Sequence, residues 1–324
     1  MKKNLILILW SVFTFLGGAD AQQLRFHKDG TFKIVQFTDT HVVPDKTESQ
    51  NAIKLINETL NKEQPDLIVF TGDVVTGKPA RKGWEMVLSP LARKGIPFCI
   101  VMGNHDAEQD LTRSEIAEIV TATPHSLNKK DDKGLSDIAL EIQSAKNGST
   151  SAVLYCMDSN DYSKVDTVKG YGWFSFDQIQ WYRHTSARLT QINGGKPLPA
   201  LAFFHIALPE YKEAYKNERN NPVGIRLEDE CPASVNSGMF TAMLESKDVM
   251  GIFVGHDHNN DYLASLYGIA LGYGRFSGGK TTYIDIQNGA RIITLKEGER
   301  GFSTFIRLQD GSEICKTSFP GIFK

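Results

Sequence analysis

The sequence predicts a layered α/β fold whose chain ends in antiparallel strands. Two observations lead there. Short apolar runs rich in Val, Ile and Phe alternate with segments of helical periodicity, the pattern of βαβ units. Beyond Asp261 the pattern changes to "TTYIDIQNGARIITL", an alternating stretch broken by Asn288-Gly289, the dipeptide favoured in two-residue hairpin turns.

Taken in order, residues 1–21 stand apart. Lys2 and Lys3 precede the apolar run Leu5 to Leu16, and Ala19 and Ala21 come after it in an A-x-A arrangement. This reads as a signal peptide cut after Ala21, so residues 22–324 are expected to be secreted or periplasmic. The run is short for a membrane span, and no later stretch is long and apolar enough to be one. Strands are expected at 32–37, 66–70, 97–102, 152–157, 200–204 and 249–254. Helix starts are expected where Thr47 precedes Gln50, Thr112 precedes Glu115 and Ser175 precedes Gln178, each at capping-box spacing. After the first of these, Ile53, Ile56 and Leu60 share one face. The long polar connections 125–150 and 209–238 are expected to rim a binding site. No linker, repeat or low-complexity tract divides 22–324, which reads as one domain.

Composition excludes some classes. The chain has 324 residues, 41% hydrophobic and 23% charged, an ordinary globular balance. Its formal charge is −2; without Lys2, Lys3 and Asp20 it carries 34 basic and 37 acidic residues, or −3. Nucleic-acid binding through bulk charge is therefore not expected. Four cysteines are too few for a disulfide scaffold. Cys99 and Cys156 lie in apolar runs and read as core thiols, whereas pairing of Cys231 with Cys315 stays open.

The residues at the carboxyl ends of the apolar runs are more informative. Five of the runs hand over to Asp39-Thr40-His41, Gly72-Asp73, Gly103-Asn104-His105-Asp106, His205 and Gly255-His256-Asp257-His258. Sites in open α/β sheets form beyond the carboxyl ends of strands. Any one such residue is an ordinary turn or cap, but five of the eight histidines stand at these ends. Mixed carboxylate and imidazole donors suit Mn, Zn, Fe or Ni. They are too many for one tetrahedral ion, so two divalent metals sharing one carboxylate are expected. Asp73 is the bridging candidate, with Gly72 permitting close backbone approach.

The ordered set D-x-H, G-D-x-x, G-N-H-D, H and G-H-x-H resembles the calcineurin-like metallophosphoesterases over roughly residues 31–290. "GIRLEDECPASVNSGMF", "GHDHNND" and "YCMDSNDYS" resemble the purple-acid-phosphatase-like branch of plants and fungi, in a bacterial secreted form. The resemblance implies a sandwich of two mixed sheets flanked by helices. It implies Asp39, His41, Asp73 and His258 on one metal, and Asp73, Asn104, His205 and His256 on the other. His105 would be a metal-free general acid for the leaving group, oriented by Asp106. The activity implied is hydrolysis of phosphomonoesters by a metal-activated hydroxide, with a phosphodiesterase or nucleotide pyrophosphatase as the alternative and a non-catalytic secreted binding module as a remote one. Purple acid phosphatases have D-x-G and a tyrosine after G-D-x-x; here His41 and Thr76 stand at those places, so the iron–tyrosinate bond is not available. Arg219 and Arg226 are candidate phosphate holders. The sequence does not give the oligomeric state.

Rival motifs are weaker. Residues 274–281 match G-x-x-x-x-G-K-[ST], but a phosphate-binding loop needs a helix after it, and "TTYIDIQNG" alternates like a strand. No G-x-S-x-G elbow is present. The glycosylation-type triplets at Asn57 and Asn147 read as incidental.

Overall fold

A computed structural model describes residues 23–216 and 221–323; the expected signal peptide and Arg219 lie outside the described residues. The elements run β1 (Thr31–Phe37), α1 (Ser49–Glu63), β2 (Leu67–Thr71), α2 (Ala80–Lys94), β3 (Phe98–Val101), α3 (Arg113–Ala122), β4 (Lys130–Asp131), β5 (Gly134–Leu135), β6 (Ile138–Gln143) and β7 (Thr150–Cys156). They continue α4 (Phe176–Ile192), β8 (Ala200–Phe203), α5 (Glu210–Lys216), α6 (Met239–Ser246), β9 (Val249–Val254), β10 (Leu263–Leu266), β11 (Ile269–Tyr273), β12 (Gly289–Lys296), β13 (Phe302–Leu308) and β14 (Glu313–Phe319).

Two six-stranded mixed sheets form, ordered β14-β13-β12-β1-β2-β3 and β10-β11-β9-β8-β7-β6. In the first, β1, β2 and β3 are parallel, whereas β12 to β14 add antiparallel strands. In the second, β7, β8, β9 and β11 are parallel, with antiparallel edges. Strands buried on both faces are largely apolar, as in "LIVFT" and "VMGIFV", where every residue is buried and Thr71 alone is polar. The faces turned toward each other pack Ile34, Val69, Leu154, Leu201, Phe253 and Ile293 into a common core. The outer faces pack against α1 to α3 and against α4 to α6. The expected two-sheet sandwich with an antiparallel close is what the chain builds.

Two helix starts match expectation. Thr112 and Ser175 each accept from the backbone N–H three residues on, and Glu115 and Gln178 return the bond. The Thr47 capping box does not form. The N-cap of α1 falls one residue later, at Glu48, and makes no side-chain cap. Residues 125–150 are not one long connection: 130–131, 134–135 and 138–143 within them form β4, β5 and β6.

The expected hairpin over 281–295 is also wrong. Residues 289–296 pair with β1 and β13, but 281–288 form no strand. That segment gives its polar groups elsewhere: the Tyr283 carbonyl faces His258 Nδ1 at 3.1 Å, the Asp285 N–H donates to Asn259, and Asn288 Nδ2 donates to the Gly278 carbonyl. No helix among the described residues is long and apolar enough to cross a membrane.

Candidate metal centre

The parallel strands β1, β2 and β3 of one sheet, and β8 and β9 of the other, point their carboxyl ends to the same edge of the sandwich. There the strand-end residues meet in two groups. Asp39, His41 and His258 offer donor atoms all within 4.8 Å of one another, and so do Asp73, His205 and His256. Asp73 Oδ2 belongs to both neighbourhoods, 3.2 Å from His205 Nε2 and 3.7 Å from His41 Nε2. His258 Nε2 is 3.7 Å from Asp39 Oδ1, and His256 Nδ1 is 3.3 Å from His205 Nε2. All six side chains are buried.

The backbone is bent to achieve this. Asp39, His41, Asp73 and His256 take φ of 53°, 42°, 50° and 78°, left-handed values that non-glycine residues adopt at a cost. Asp39 is held by the His256 N–H at 3.0 Å and the Thr38 hydroxyl at 2.7 Å. His205 Nδ1 sits 2.7 Å from the Thr71 carbonyl and His258 Nδ1 3.1 Å from the Tyr283 carbonyl, which turns each Nε2 inward. Gly72 and Gly103 supply space. A Cβ at Gly72 would stand 2.5 Å from His205 Nδ1, and one at Gly103 would stand 2.1 Å from Asp73 Oδ1.

The residues fit divalent cations. His41 Nε2 and Asn104 Oδ1 are buried and have no hydrogen-bond partner in the protein, which is costly unless something else takes their lone pairs. Burial pushes the His41 imidazole down to about 3 and His258 to about 4, leaving neutral nitrogens of the form metals need. Burial works against charge on Asp73, but the imidazoles of His205 and His41 hold its carboxyl well below the usual range. Burial likewise opposes charge on His205, and the adjacent Asp73 carboxylate lifts it to about 10. Asp73 and the His205 Nε2 would hold a divalent ion in place of that proton, which would neutralise the carboxylate in the same way. Asp39, His41 and His258 are suited to one ion, Asp73, His205, His256 and Asn104 to the other, with Asp73 between them.

His105 faces outward beside this floor, half-exposed, its ring 5.9 Å from that of His41. The expectation that Asp106 orients it is wrong. Asp106 is fully buried and accepts the backbone N–H groups of Asp73, Val74, Val75 and Gly103 at 2.7–3.1 Å. It knits the two motif loops together. His105 Nδ1 instead pairs with Glu108 Oε2 at 2.5 Å. Burial lowers the His105 pKa, but Asp73 and Glu108 outweigh it and the net shift is upward.

Arg226, a candidate phosphate holder, is engaged by acidic neighbours. Its guanidinium donates to Glu230 at 2.8 and 2.9 Å and also to Asp229. The rim segment that carries it is fastened by "NND": Asn260 Oδ1 accepts from Leu227 and Glu228, and Asp261 Oδ1 accepts from Ile225. Aromatic rings close the sides of the centre. Tyr283 stacks on His258 with centroids 4.3 Å apart, and Tyr171 meets His256 edge-on at 4.4 Å. Glu108, Tyr171 and Tyr283 do not stand out in the sequence, where the His-x-x-Glu spacing of 105–108 is the signal for Glu108; the asparagines appear there only as part of "GHDHNND". The segment 274–281 has no helix after it. It lies beneath the first group, Thr281 reaching the His41 carbonyl and the Ser277 N–H donating to the Thr38 carbonyl.

The model of the calcineurin-like phosphoesterase family matches residues 32–260, which hold every strand-end ligand. The chain belongs to the calcineurin-like phosphoesterase family. Within it, the chain is 34% identical over 290 residues to an Arabidopsis thaliana protein named "Probable inactive purple acid phosphatase 29", covering 79% of this chain and 74% of that protein. It is 32% identical over 275 residues to the Saccharomyces cerevisiae phosphatase DCR2, covering 75% of this chain and 46% of that protein. Its fold is similar to that of a Danio rerio dimetal phosphatase, with a TM-score of 0.60, 12% identity, and coverage of 89% and 98% of the two chains. This calcineurin-like phosphoesterase thus has purple-acid-phosphatase-like relatives, as its motifs implied.

Proposed function

We propose that this chain is a secreted, dinuclear metal-dependent phosphoesterase that hydrolyses phosphomonoesters. The observation that carries the reading is Asp73 Oδ2 lying between His41 and His205, with the donor sets of two cations on either side. Held by these residues, two divalent ions would supply a nucleophile at neutral pH and neutralise phosphoryl oxygens. The protein's own residues do the rest. Asp73 holds the two groups in register, and Asp106 fixes the loops that carry Asp73 and Asn104. His105, half-exposed and tilted toward its protonated form, delivers a proton to the departing oxygen.

The name of the Arabidopsis relative raises the alternative of an inactive binding protein. Against it stand the complete ligand set and His105 in this chain. The signal-type segment 1–21 supports export, which fractionation of the native host would test.

The deciding experiment assays residues 22–324, stripped and reloaded separately with Mn, Zn, Fe and Ni, on alkyl phosphates, nitrophenyl phosphate, a bis-nitrophenyl diester and a nucleoside diphosphate. Monoester turnover that disappears on chelation is expected. Metal binding without turnover of any ester would establish the binding-protein alternative, and preference for the diester or the diphosphate would move the substrate class.

A further inference from the structure

We propose that Glu108 and Tyr162 form one positioning device that sets both the general acid His105 and the metal ligand Asn104; the His105 half rests on the phosphatase reading above. The bonds leave little freedom. The Tyr162 hydroxyl donates to Glu108 Oε1 at 2.8 Å. A phenol has one proton, so toward Asn104 it can only accept, and it takes an N–H from Asn104 Nδ2 at 3.2 Å. That fixes the amide with its nitrogen outward and leaves Oδ1, buried and unpartnered, for a cation. The other Glu108 oxygen, Oε2, meets His105 Nδ1 at 2.5 Å. A carboxylate only accepts, so Nδ1 carries the proton in that bond and Nε2 is the nitrogen presented to the ester. One carboxylate and one phenol thereby orient a neutral ligand and an acid that are neighbours in sequence but have different tasks.

The device is anchored in the loop that follows β7 of the opposite sheet. Tyr162 and Tyr171 form an antiparallel bridge and stack with centroids 5.7 Å apart, and Ser163 donates its N–H to the Gly170 carbonyl at 2.9 Å. Tyr171 in turn lies edge-on against His256. The loop after β7 therefore touches two candidate ligands of the same ion, Asn104 and His256, and the partner of the acid.

The test uses Tyr162→Phe, Glu108→Gln and Glu108→Asp in residues 22–324, with melting curves to confirm folding. Zinc affinity is read by competition with a chromophoric chelator, and kcat is measured on an alkyl phosphate and on nitrophenyl phosphate. Tyr162→Phe is expected to weaken one of the two zinc sites by about 10-fold or more. In Glu108→Gln the amide oxygen can still accept from the Tyr162 hydroxyl while the NH2 cannot accept from His105, so both zinc affinities are expected to stay unchanged and the alkyl phosphate to slow by roughly 10–100-fold. Nitrophenyl phosphate, whose leaving group hardly needs a proton, should change only a few-fold, and Glu108→Asp should recover part of the alkyl rate. Parental zinc affinity in Tyr162→Phe, or equal slowing of both esters in Glu108→Gln, would overturn the proposal. A parent with no turnover under any metal sinks the phosphatase reading and the His105 half with it, while the zinc arm still decides the role of Tyr162.

Discussion

His205 Nδ1 lies 2.7 Å from the carbonyl oxygen of Thr71, so a candidate ligand at the end of one sheet is tied to the last residue of a strand in the other. The contact is possible because Gly72 has no side chain. Gly72 has φ of 85°, and a Cβ there would overlap the imidazole. Gly72→Ala is expected to cost roughly 2–3 kcal/mol and to lower metal occupancy. Urea unfolding and elemental analysis check this, and parental values in both would show that the ring can step aside.

Asp106 is expected to matter for folding rather than for proton delivery. Asp106→Ala strands four backbone N–H groups in a buried place, at about 3 kcal/mol or more. Any activity that survives should be reduced equally for alkyl and nitrophenyl esters. A selective loss on the alkyl ester would return Asp106 to the role of orienting His105.

Lys280 is exposed at a turn with φ of 72°, in a segment that has no helix after it. Lys280→Ala should leave metal content and ester hydrolysis near parental levels, and calorimetry should detect no ATP binding that depends on this lysine. Loss of hydrolysis with metals retained would bring the loop into the site.

A pH effect is expected away from the metals. Burial raises the Asp137 carboxyl to about 6, although the Asp158 N–H and Gln178 favour its anion. The folded state therefore binds this proton more tightly than the unfolded state. The resulting stabilisation is complete below the ordinary value and is lost as pH rises through about 6. Asp137→Asn removes that dependence. Whatever its offset, its stability relative to the parent should improve by about 1 kcal/mol between pH 5 and 8. A constant difference across that range in urea titrations would refute the shift.

The strands were legible because runs buried on both faces are largely apolar, and "VMGIFV" at 249–254 is strand to the residue. The cluster of candidate ligands was legible because ionisable residues at apolar strand ends are conspicuous. The failures share a cause. "TTYIDIQNG" alternates like a strand, yet its Tyr283 carbonyl serves His258 and its Asp285 amide serves Asn259, partners set by tertiary contact. Asp106 sits beside His105 in sequence but points into the protein toward the Asp73 loop. Glu108 and Tyr162 are separated by 54 positions and meet only because the loop after β7 crosses to the other sheet. Cys231 and Cys315, whose pairing stayed open, are both free thiols.

The left-handed backbone at His41, φ 42°, has a consequence for metal selection. Glycine occupies the same place in the D-x-G motif of the purple acid phosphatases that this chain resembles, and glycine adopts that φ without strain. A glycine could take up this φ with the main chain unmoved. Swapping a ring nitrogen for open space there exchanges one donor set for another while the sandwich, the strand ends and Asp73 remain as they are. On the metal reading proposed above, the donor offered at this turn is an interchangeable fitting, one that can be exchanged without redesign of the architecture that carries it.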